Sequence, residues 1–122
     1  MIEELVTLET AKMLKEKGFN MYCSFTFRED GNYYYSQTSY IANSSLPANN
    51  YSAPRLYIAQ KWLRETKNLH IEISYMYGNY WIYDILTIPE HDLVGLSDRP
   101  IIRYETYEEA LEAGIFEALK LI

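Results

Sequence analysis

Apolar and polar positions alternate without a break from Leu69 to Tyr77. Leu69, Ile71, Ile73, Tyr75 and Tyr77 fall on one face, and His70, Glu72, Ser74 and Met76 on the other. A period of two predicts a strand with one buried face, and the Gly78-Asn79 pair predicts a turn into a second strand reaching Ile88. Gly first and Asn second suits a type II′ turn, which sets Tyr77 opposite Tyr80, Ile73 opposite Asp84 and Ile71 opposite Leu86. A one-residue bulge would instead bring Trp81, Tyr83 and Ile85 to the apolar face and turn Asp84 outward. We adopt the II′ register, with Asp84 near the rim of the apolar face.

Elsewhere the period lengthens to that of a helix. Residues 7 to 17 predict a first helix, capped by Thr7, stopped by Gly18 and carrying a narrow stripe of Leu8, Ala11 and Leu14. Ser52-Ala53-Pro54 reads as the opening of a second, whose Leu56, Ile58, Ala59, Trp62 and Leu63 share one face. Thr106 and Glu109 form a capping box for a closing helix with Tyr107, Ala110, Leu111, Gly114, Ile115, Ala118, Leu119 and Ile122 on one stripe. Gly114 costs about 1 kcal/mol relative to Ala, which predicts a close approach to the sheet there. Residues 21 to 28 and 33 to 40 flank Glu29-Asp30-Gly31-Asn32 as another hairpin, with Cys23, Phe25 and Phe27 on one face. Residues 41 to 52 read as a long Asn- and Ser-rich loop, and 89 to 105 as a connector in which Ile101, Ile102 and Tyr104 add a short strand. The order α-β-β-α-β-β-α predicts one α+β domain over residues 1–122. Its antiparallel sheet is built of two hairpins, with the second and closing helices on one face.

Composition narrows the function classes. Cys23 stands alone, so no internal disulfide forms. The N-terminus has no basic region followed by an apolar run, and no apolar stretch approaches the roughly 20 residues of a membrane span, so a cytoplasmic protein without membrane contact is expected. Net charge is −6, which argues against nucleic acid, because that affinity rests on Lys and Arg neutralising phosphates. Thirteen tyrosines depart from the average. Their apolar rings and polar tips suit half-buried sheets and binding surfaces alike.

Motifs for catalysis are sparse. Glu90-His91-Asp92 is the densest group of metal-ligand types, but three consecutive residues do not converge on one ion. The glycines are dispersed, so no phosphate-cradling loop is present. Cys23 lies in an aromatic run and reads as a small core residue rather than a nucleophile. Glu72 and Asp84 sit on facing strands, on opposite faces in the adopted register, which argues against paired acid–base work. No cofactor is indicated. The candidate binding surface comprises Tyr33, Tyr35, Tyr51, Tyr57, Tyr83 and Phe116, together with the 41–52 loop. A candidate small-molecule or catalytic pocket would draw on Asp84 and His70, with Tyr83. Stacking of single-stranded nucleic acid on the tyrosines is a third reading.

The strings SAPxLxxAQKWLRE, HIEI, a Trp-containing strand and YEEALEAGIxEALKLI, with TAKMLKEKGF near the start, resemble a family of small proteins carried by phages and prophages of gut anaerobes. That family carries no assigned activity, so the resemblance implies no catalytic residue. It implies a bacterial cytoplasm, an accessory gene and a protein partner. The expected function is therefore a non-catalytic protein-binding or accessory module, in which a homodimer would be compatible with the tyrosine-rich surface.

Overall fold

A computed structural model describes residues 5–35, 42–94 and 102–122, which group into two units, Met1–Arg55 and Leu56–Ile122. The α+β class holds. Instead of one sheet of two hairpins, the described residues form two three-stranded antiparallel sheets, each lengthened by a strand that composition had disguised.

In the first unit, α1 (Leu8–Glu16) is capped by the Thr7 hydroxyl, which accepts from the Thr10 N–H at 3.3 Å. Gly18 ends it at φ +98°, a left-handed conformation that favours glycine. The Phe19 N–H then reaches back to the Leu14 carbonyl and the Gly18 N–H to that of Lys15, the paired bonds of a Schellman stop. β1 (Phe25–Arg28) and β2 (Tyr33–Tyr35) form the expected hairpin around Gly31, and Phe25 pairs with Tyr35 and Phe27 with Tyr33. The rest of the strand predicted over 33–40 lies outside the described residues. The supposed loop contributes a 3₁₀ turn (Asn43–Ser45) and β3 (Asn50–Ser52), which pairs with the other edge of β1. Asn43 makes this possible. Buried, it donates from Nδ2 to the Phe19 carbonyl at 2.8 Å and accepts the Ser52 N–H on Oδ1 at 2.9 Å. Ser52 is therefore a strand residue and does not cap the second helix.

In the second unit, α2 (Leu56–Thr66) follows Arg55, which bridges to Leu5. β4 (Leu69–Met76) and β5 (Tyr80–Thr87) form the hairpin, β6 (Leu93–Val94) borders β5, and α3 (Tyr107–Leu119) closes the chain with Thr106 at its cap. The II′ register is overturned. Met76 faces Tyr80, so Tyr77, Gly78 and Asn79 all lie in the turn, with Gly78 at φ +103° and Asn79 at +65°. Tyr75 now faces Trp81, Ile73 faces Tyr83, Ile71 faces Ile85, and Glu72 faces Asp84. The pairing needs one more turn residue, but it places Trp81, Tyr83 and Ile85 on the face that α3 covers and turns Asp84 away from it. Burying a carboxylate under a helix costs more than a tight turn gains. Gly114 lets α3 approach, since a Cβ there would meet the Ile71 and Tyr83 side chains. Tyr104 exchanges two backbone hydrogen bonds with Trp81, so the connector does add an extended pairing, while Ile101 lies outside the described residues.

Candidate functional site

The two long strands have eight residues each, about 27 Å at about 3.4 Å per residue. Helix α3 has 13 residues, about 20 Å at about 1.5 Å per residue. The sheet therefore outruns its cover, and the turn end of the apolar face continues past the start of α3. Aromatic side chains take over there. Tyr107, the first residue of α3, meets Trp81 edge-on at 5.5 Å, and Trp81 meets Tyr75 at 4.8 Å. The Tyr75 hydroxyl donates to Asn79 Oδ1 at 2.7 Å, which ties the ring to the turn. Tyr77 is fully exposed at the tip, Tyr75 is 57 % exposed and Tyr107 40 %. An open cleft of about 520 Å³ is lined by Tyr75, Met76, Tyr77, Gly78 and Asn79. The exposed carboxylates Glu105, Glu108 and Glu109 flank Tyr107 in sequence.

The opposite face of the same hairpin carries His70, Glu72 and Asp84. Glu72 stands directly across from Asp84, an arrangement that repels. His70 Nε2 lies 3.1 Å from Glu72 Oε2, and its Nδ1 is buried with no hydrogen-bond partner among the described residues. His70 and Asp84 are thus brought onto one face, but with Glu72 rather than with Tyr83. Tyr83 points the other way, into the core beside Gly114, at 5 % exposure. It is removed from the candidate pocket and from the candidate surface. Among the described residues no three His, Cys, Asp or Glu side chains are grouped to hold a metal ion.

In the first unit Tyr33 and Tyr35 are exposed at their edges and pack on Phe25 and Phe27, with ring centroids 5.1 to 6.1 Å apart. Tyr51 is held in a charged network. Its hydroxyl donates to Glu29 Oε2 at 2.7 Å, Lys12 Nζ donates to Glu29 Oε1 at 2.9 Å, and the Lys12 and Lys15 ammonium groups lie 5.7 and 5.3 Å from the Tyr51 ring. The bond from Tyr51, and next that from Lys12, holds the Glu29 carboxyl below its ordinary value, while the same carboxylate raises Tyr51 and Lys12. Lys15 also donates to the carbonyls of Pro47 and Asn50, so the network clamps α1 to β3. Burial pushes the Cys23 thiol up to about 11, with the Ser52 hydroxyl opposing. A thiol so raised is protonated at neutral pH and is a poor nucleophile.

Of the other aromatic residues singled out from the sequence, Tyr57 is exposed on α2, and Phe116 is half-buried under the Lys120 ammonium at 4.7 Å. The sequence reading missed Tyr75, Tyr77, Trp81 and Tyr107. Their signal was present in two lengths, a long alternating strand and a shorter helix, and emerges only when the register places Trp81 beside Tyr75.

These features define an α+β protein with an aromatic, acid-flanked hairpin end. Comparison with protein-family models, with curated proteins and with solved structures finds no match to this chain. No described helix is long and apolar enough to cross a membrane.

Proposed function

We propose that this chain is a non-catalytic protein-binding module, an accessory protein of a phage or other mobile element, whose partner docks on the turn end of the β4–β5 hairpin. One observation carries the reading: the ladder Tyr107–Trp81–Tyr75 ends in a fully exposed Tyr77 beside an open cleft. Tyr and Trp supply large rigid contact area at little entropic cost and are enriched where binding energy concentrates. A tyrosine left fully in water at a turn contributes nothing to the core. The adjoining carboxylates favour a partner with basic residues at its rim.

The test compares the wild-type chain with the triple variant Tyr75→Ser, Tyr77→Ser, Tyr107→Ser as bait in bacterial lysate, read by mass spectrometry. Circular dichroism confirms that both baits are folded. The proposal expects a protein enriched on the wild type and lost from the variant. Identical capture by the two folded baits overturns it.

A further inference from the structure

The edge of β4 carries a second kind of information about the partner, and the inference rests on the binding-module reading. Trp81 spends both backbone hydrogen bonds on Tyr104, at 2.8 and 3.0 Å, so across the pair Tyr75–Trp81 the backbone groups point apart. By alternation the N–H and C=O of Ile71, Ile73 and Tyr75 all face the outer edge of β4, which is the border of its sheet. Only the first is covered. Gln60 on α2 donates from Nε2 to the Ile71 carbonyl at 2.9 Å. Among the described residues nothing takes the edge groups of Ile73 and Tyr75. No proline, no lysine and no bulge interrupts the eight residues, and Glu72 is the one carboxylate on them.

The neighbouring side chains state what would fit. On the outer face Glu72 and Asp84 face each other across the ladder. A strand added to β4 would meet Glu72 at a non-hydrogen-bonded position, with Cα atoms about 4.5 Å apart, where a lysine or arginine would pair with its half-exposed carboxylate. On the inner face the residue opposite Tyr75 continues the Tyr75–Trp81 ladder and suits an aromatic or branched side chain. A second copy of β4 does not meet these needs. Paired about Ile73 it sets Glu72 against Ser74. Only pairing about Ile71 brings His70 to Glu72, and Gln60 already occupies that carbonyl.

We infer that the partner supplies an extended, proline-free peptide segment that pairs with β4 from Glu72 to Tyr75, with a basic residue opposite Glu72 and an apolar one opposite Tyr75. The test pans a random decapeptide display library on the full chain, then follows amide exchange by NMR with the selected peptide added. Selected sequences should lack proline at their centre and alternate Lys or Arg with apolar residues. Exchange at the Ile73 and Tyr75 amides should slow by about tenfold or more, and Glu72→Lys should weaken binding by about tenfold. A selected peptide that leaves both amides exchanging freely overturns the inference while leaving the binding-module reading intact, since it sits on the rings alone. Proline-rich winners, or no enrichment, overturn it as well. So does a chain that dimerises by itself with the same amides protected, which would assign the edge to a second copy.

Discussion

At Gly114 a Cβ would lie 2.7 Å from Ile71 Cγ2 and 3.1 Å from Tyr83 Cγ. Ile71 is fully buried and branched, so it has no room to swing aside. Gly114→Ala gains about 1 kcal/mol of helix propensity and meets an overpacking cost of about 1–3 kcal/mol. The net outcome expected is a loss of up to about 2 kcal/mol in urea unfolding followed by tryptophan fluorescence. Asn43 is a polar counterpart. Asn43→Ala removes two buried hydrogen bonds, to the Phe19 carbonyl and from the Ser52 N–H, which should cost about 2–4 kcal/mol by the same measurement of unfolding. Cys23 reports on its surroundings directly. With its pKa raised from 9.0 to about 11, the thiolate fraction near pH 8 falls by about a hundredfold. Alkylation in the folded chain should slow by about that factor or more and recover on unfolding.

At the scale of elements, the charged clamp of Lys12, Glu29 and Tyr51 holds α1 against the β1–β2 turn and β3, and its pH dependence has a definite sign. Glu29 is lowered, so its contribution is present above its ordinary value of 4.5 and fades as pH falls through the lowered value. Tyr51 and Lys12 are raised, so theirs is present below their ordinary 10.0 and 10.5 and is lost as pH rises through the raised values. The groups are exposed, so the effect on stability is small and screened by salt. Glu29→Gln should bring the Tyr51 phenol to titrate at lower pH than in the wild type, read by its NMR ring shifts. Elements differ in how much of this was legible. Helix ends were, because Thr7, Gly18 and Thr106 act through bonds within a turn of their own backbone. The buried face of β4 was legible too, as a period of two. The register was not, because Gly78-Asn79 satisfies two turns, and only the cost of an Asp84 buried under α3 separates them. β3 was hidden because its pairing depends on Asn43, whose composition reads as loop until its two partners are in place. The exposed aromatic end was hidden because it is a difference in length between strand and helix, carried by no motif.

For the whole molecule, tyrosines and charge pull toward different partners, and magnitude decides. Rings such as Tyr75, Tyr77 and Tyr107 would accept stacked bases as readily as peptide side chains. Nucleic acid, however, draws its affinity from cations that replace its counterions, and the chain carries a net charge of −6. Several of its cations are also engaged. Lys12 is held by Glu29, Lys15 by two carbonyls, Lys120 by Glu117, Arg28 by the Tyr34 ring and Arg103 by the Tyr80 ring. A single-stranded oligonucleotide should therefore show no retardation in a gel-shift titration, even at low salt where phosphate contacts are strongest. A peptide bearing lysines should behave in the opposite way. The acidic field around Glu72, Asp84 and the start of α3 speeds its encounter, so its association rate should fall steeply as salt rises while its dissociation rate changes little. Stopped-flow fluorescence of Trp81, which stands beside Tyr75 at the proposed binding end, measures both rates. A rate indifferent to salt would mean that the rings alone recruit the partner and that the carboxylates only keep nucleic acid away.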